Sequence, residues 1–145
     1  MATGDEIKEV TLEIWDNDWC GTDKSPSFQI RTKDGLTRKA YFCKTIFCIQ
    51  KHTDAISKGD TLQWKDYKNL DGKSFNGLGT IKRFPMPGIW DRNYIEFKLF
   101  GRSGDDFCPK VFKVVTYDGT VYLQQMNDWV DKSKGYETRR AYQQL

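Results

Sequence analysis

The sequence predicts an all-β fold, an antiparallel β-sandwich of about seven to eight strands, on three observations. Apolar and polar residues alternate with a period of two, as in Val10, Leu12 and Ile14 against Glu9, Thr11 and Glu13, or Ile95, Phe97 and Leu99 against Glu96 and Lys98. That period is the signature of a strand with one wet face. Asp-Gly dipeptides, Asp34-Gly35 and Asp118-Gly119, lie beside such segments where hairpins need them. Aromatic residues make up 14% of the chain, so the core is expected to be built from rings and β-branched side chains, which suit a pleated surface.

Taken in order, 7–15 reads as the first strand, broken by Asp16-Asn17-Asp18. Residues 26–32, with Phe28 and Ile30 on one face, read as the second, and 36–44 return after the Asp34-Gly35 turn as the third. Thr61-Leu62-Gln63-Trp64 is a short strand. The glycine- and asparagine-rich stretch 66–79 is a long loop. Residues 78–84 read as a strand ended by Pro85-Met86-Pro87-Gly88, and 94–100 is the clearest strand of all. A turn over 101–106 leads to a strand at 110–117, and Asp118-Gly119 leads to another at 120–124. The expected domain is 1–125. Residues 126–145 are polar and read as an appended C-terminal tail, with a short helix capped by Asn127 or Asp128.

At 145 residues a second core would leave each half near the lower size limit for independent folding, so one domain is expected. The 23 basic and 20 acidic residues are interspersed and give a net charge of +3. So even a balance does not point to nucleic acid, and no nucleic-acid partner is expected. No stretch approaches the roughly 20 apolar residues of a membrane-spanning helix, and the N-terminus is not signal-like. The cysteines, Cys20, Cys43, Cys48 and Cys108, are even in number. Two disulfides and an extracellular, secreted location are the expectation, with three connectivities open and reduced thiols as the rival reading.

Catalytic chemistry finds little foothold. The single histidine, His52, lies in a polar loop, and no G-x-S-x-G, H-E-x-x-H or phosphate-cradling loop is present. The chain is therefore read as a non-enzyme. The acidic turns are more suggestive: Asp16, Asp18 and Asp23 in one, Asp105 and Asp106 in another. Loops from one end of a sandwich can converge, and calcium takes about six to eight hard oxygen ligands. The bland reading is that Asp and Asn cap their own turns. Rings flank the same turns: Trp15 and Trp19 beside the first, Phe107 after the second, and Trp90 after the proline-rich turn. A ring at a loop tip suits a lipid interface, a sugar or a protein contact, or closes the end of the core.

Cys20-Gly21-Thr22-Asp23 after the first strand, Lys58-Gly59-Asp60-Thr61 before a short strand, and Leu78-Gly79-Thr80-Ile81 occur in order, followed by strand 94–100 and Gly104-Asp105-Asp106-Phe107. In these short motifs, spread over 9–123, the chain resembles the PLAT/LH2 family of β-sandwich domains. Phe107 stands where that family often has Trp. The resemblance implies a binding module for membranes, lipids or protein partners, in some members with calcium held by loop aspartates; Asp23 and Asp60 match its motifs. The expected function is thus a non-catalytic module docking on a lipid or protein surface through Trp15, Trp19, Trp90 and Phe107, with calcium on Asp16, Asp18, Asp23, Asp60, Asp105 and Asp106. The alternatives are a glycan-binding sandwich and, lower, a small hydrolase using an Asp pair.

Overall fold

The computed structural model describes residues 4, 6–17, 26–32, 35–37, 40–42, 58–66, 72, 93–101, 108–126 and 136–144. Among these there is no helix, and nine strands appear: β1 (Ile7–Ile14), β2 (Ser27–Thr32), β3 (Gly35–Leu36), β4 (Ala40–Tyr41), β5 (Thr61–Lys65), β6 (Tyr94–Phe100), β7 (Pro109–Thr116), β8 (Val121–Gln125) and β9 (Tyr136–Gln143). Every pairing is antiparallel, and the hydrogen-bonded path runs β3-β2-β6-β9-β8-β7-β1-β5, with β4 added on β2. The expected strand at 78–84, the loop residues 67–71 and 73–79, and the helical turn at 127–130 lie outside the described residues.

The path is one sheet by hydrogen bonds but two layers by packing. Phe28 on β2 meets Trp64 on β5 edge-on at 6.2 Å and Phe112 on β7 at 6.0 Å, although these strands lie far apart along the path. Phe97 on β6 stacks on Phe112 at 3.8 Å and 9°. The sheet therefore curls until β2-β6-β9 covers β8-β7-β1-β5, and the rings fill the space between. Phe28, Phe42, Phe97, Phe112 and Tyr122 are wholly buried there, each fully buried phenylalanine stabilising the fold by about 1.5–3 kcal/mol. The layers join at a narrow seam where β8 meets β9 only through Tyr122↔Gln143 and Leu123↔Tyr142.

Local chemistry explains the departures from simple alternation. Ile7 and Val10 are both buried although three residues apart, because the pairing with β7 shifts between Ile7 and Glu9. An extra residue in one strand turns later side chains to the other face. Of the third strand expected over 36–44, the described residues form two short pieces, β3 and β4. The Ile30 amide donates to Thr37 Oγ1 at 3.1 Å, and Thr37 N–H donates to the Ile30 carbonyl at 2.9 Å. A side chain has taken a donor that a continuing ladder would have used, so β3 stops and β4 starts afresh on β2.

The β7–β8 hairpin closes as its Asp-Gly sequence predicts. Gly119 has φ 86° and donates to the Thr116 carbonyl at 3.0 Å. Asp118 Oδ1 accepts from Thr120 N–H at 3.1 Å and from the Thr116 hydroxyl.

The largest correction concerns the C-terminal residues. The polar stretch expected as a tail contains β9, which pairs with β6 along the full length of that strand, from Tyr94↔Tyr142 to Phe100↔Tyr136. Its polarity hid it. Ala141 is wholly buried, whereas the neighbouring inward positions hold Glu137 and Arg139, paired at 3.3 Å. The two charges satisfy each other beside Leu99 and Phe97, their wholly buried partners on β6, so no apolar alternation marks this strand in the sequence.

Candidate functional site

The first acidic turn leaves the sandwich from the end of β1, and backbone hydrogen bonds tie that end to three other segments. Ile14 N–H donates to the Asp60 carbonyl at 2.9 Å, and Gly59 N–H donates to the Trp15 carbonyl at 3.1 Å. Trp15 N–H donates to the Cys108 carbonyl at 3.0 Å. Trp15 Nε1 donates to the Met126 carbonyl at 3.0 Å, and Met126 N–H donates to the Lys110 carbonyl at 2.8 Å. Trp15, the segment 58–60, the start of β7 and the end of β8 thus form one end of the molecule. Cys108 is buried here.

Gly59 decides how closely the acidic residues approach. Its φ of 77° belongs to the left-handed region, and a Cβ built on it would lie 3.3 Å from both Cγ and Oδ1 of Asp16. The Asp16 carboxylate therefore rests against the glycine backbone, one residue from Asp60. Asp16 and Asn17 are exposed and Asp60 is half-buried. The arrangement offers hard oxygen donors at an open surface. Among the described residues, no three His, Cys, Asp or Glu side chains are grouped closely enough to hold a metal ion.

Of the residues singled out from the sequence, Trp15, Asp16 and Asp60 come together at this end. Asp18, Trp19, Asp23, Trp90, Asp105, Asp106 and Phe107 lie outside the described residues. Trp15 is half-buried and packs on the core. Its N–H is satisfied by Met126, and the Lys110 ammonium lies 5.0 Å from its ring centroid. With N–H and ring both engaged within the protein, Trp15 closes the end of the sandwich and carries the turn that follows. Reading the sequence alone missed Lys110 and Gly59 as the residues that hold this corner. For Gly59 the Lys-Gly-Asp-Thr motif already marked the position; for Lys110 no local pattern did.

No protein-family profile matches the chain. No curated protein sequence matches it either. Solved structures do. Coral 8R-lipoxygenase, whose structure is described as showing calcium activation via a C2-like domain, is similar with a TM-score of 0.55 over 94% of this chain at 18% identity. The likeness bears out the all-β, antiparallel fold. An alpha toxin from Clostridium absonum is similar with a TM-score of 0.55 over 98% of the chain, again at 18% identity. A deletion variant of a lipoxygenase reaches a TM-score of 0.57 over 95% at 15% identity. The chain spans only 16% and 17% of the two lipoxygenases and 31% of the toxin. At such identities the likeness establishes the fold, and the PLAT/LH2 resemblance read from the motifs is supported at that level.

Proposed function

We propose that this chain is a non-catalytic module that docks on a lipid surface through the loops at the Trp15–Cys108 end, assisted by calcium. The observation that carries the reading is the corner itself. The Asp16 carboxylate rests against Gly59, the residue before Asp60, and Trp15, just before the first acidic turn, is hydrogen-bonded to the backbone of Cys108, just after the second. Calcium activation via a C2-like domain, described for the coral lipoxygenase, supports the same reading by analogy of fold.

Asp16, Asn17 and Asp60 would supply carboxylate and amide oxygens to a calcium ion, with Asp18, Asp23, Asp105 and Asp106 as the further ligands such an ion requires. Neutralising the acidic turns would let them approach anionic headgroups, and rings in the loops would enter the interface. Lys110, held over Trp15, already gives this end one positive charge.

Co-sedimentation with phosphatidylcholine/phosphatidylserine vesicles, in calcium and in chelator, tests the proposal. Binding that rises with calcium and falls in Asp16→Asn and Asp60→Asn is expected. Calcium-dependent binding unchanged in both variants would overturn the assignment of the site.

A further inference from the structure

The outer face of β6 and β9 carries a second feature that the loop reading does not use. Tyr94, Glu96, Lys98 and Phe100 point away from the core on β6, and their partners on β9 are Tyr142, Arg140, Thr138 and Tyr136. Aromatic pairs thus stand at both ends of this face, Tyr94 with Tyr142 at 6.3 Å and Phe100 with Tyr136 at 6.0 Å. Between them lie two cations, and each is mounted on a ring: Arg140 over Tyr94 at 4.6 Å and Lys98 over Tyr136 at 4.8 Å. Arg140 and Tyr142 are exposed, Tyr142 to 53%.

We infer that this face is a calcium-independent docking surface for an anionic phospholipid bilayer, a deepening of the lipid-binding reading on which it rests. Charge favours an anionic partner, because Lys98 and Arg140 outnumber Glu96 on this face and Arg31 on neighbouring β2 is a further exposed cation. The ring geometry selects headgroups over stacked ligands. A sugar or a nucleobase needs an open ring face, whereas Tyr94 and Tyr136 already have cations over theirs. A ring holding a cation by its quadrupole restrains it at the surface with its N–H groups available to phosphate oxygens. Lys98 and Arg140 sit diagonally across the β6–β9 ladder, about 7–8 Å apart at the backbone, close enough to act on one small patch of headgroups. Tyrosine, apolar along the ring and polar at the hydroxyl, suits the same interface.

The test uses the whole chain, vesicles with and without phosphatidylserine, and a chelator throughout. Chelator-resistant, phosphatidylserine-dependent binding is expected. It should weaken about five-fold in Lys98→Ala or Arg140→Ala and about thirty-fold in the double variant, from about 1 kcal/mol per basic side chain near an anionic surface. The charge-preserving pair Lys98→Arg and Arg140→Lys should retain most of it, which separates charge from damage to the fold. Binding that needs calcium, falls in Asp16→Asn and ignores Lys98→Ala/Arg140→Ala would overturn this inference and leave the loop reading standing. Absence of binding to any vesicle in either condition would overturn both. A single-stranded oligonucleotide that binds through Lys98 and Arg140 while vesicles do not would overturn the choice of partner.

Discussion

Replacing Phe112 by alanine strikes the point where the two layers meet. The ring is wholly buried, stacks on Phe97 at 3.8 Å, and stands edge-on to Phe28 at 6.0 Å and to Phe42 at 6.3 Å. Truncating a buried phenylalanine costs about 3–5 kcal/mol, from lost transfer energy and the cavity left behind. The upper half of that range is expected, because Phe97, Phe28 and Phe42 all lose a partner, and aromatic pairs contribute about 0.5–1.5 kcal/mol beyond their area. Domains of this kind have about 5–15 kcal/mol in total. With a urea slope of about 2 kcal/mol/M, a loss of about 4 kcal/mol lowers the midpoint by about 2 M. Equilibrium urea unfolding of Phe112→Ala, Phe97→Ala and the pair would measure both the loss and the coupling, expected at about 0.5–1.5 kcal/mol. A midpoint shift under about 0.5 M, or strict additivity of the two variants, would refute the account of the sandwich as two layers joined through this stack.

Other consequences are as direct. Gly119→Ala forces a side chain onto φ 86° and should cost about 1–2 kcal/mol, read as a lowered Tm. Gly59→Ala combines the same strain with a 3.3 Å approach to the Asp16 carboxylate; it should lower Tm and weaken any calcium response measured by titration calorimetry. Trp15→Phe keeps a ring but leaves the Met126 carbonyl without its donor, with an expected loss of about 1 kcal/mol in urea unfolding. Ending the chain after residue 135 removes β9 and strips β6 of a partner along its length, so the cooperative transition seen by near-ultraviolet circular dichroism should disappear.

Much of this architecture is legible in the sequence wherever one face is dry and the other wet. Strand 94–100 coincides with β6, and the Asp118-Gly119 hairpin closes as its residues require. Legibility ends where side chains serve the backbone or where charges occupy inward positions. Thr37 interrupts an expected strand by taking the Ile30 amide, which no period of hydrophobicity encodes. β9 escapes because Glu137 and Arg139 occupy inward positions, leaving Ala141 as its one wholly buried apolar residue. At the candidate site, the motif containing Gly59 and Asp60 lies at the same corner as Trp15 and Asp16. For Trp15 the sequence leaves open a loop-tip contact or closure of the core, and its role as a structural post comes only through Met126 and Lys110, both about a hundred residues away.

The late position of β9 also governs the order in which the molecule can be made. β1 and β2 each gain one partner early, in β5 and in β3 with β4, but the second edge of each waits for β7 and β6, and β6 in turn waits for β9. Until residues 136–143 appear, β6 keeps an open hydrogen-bonding edge in the layer that carries Phe28 and Phe97. Unpaired edges of this kind invite pairing with other chains. Slow codons or a pause before residue 136 would prolong that exposure, whereas brisk translation through β9 would shorten it. Yield of native protein should therefore respond more to how fast residues 136–143 are delivered than to changes of equal size in β1.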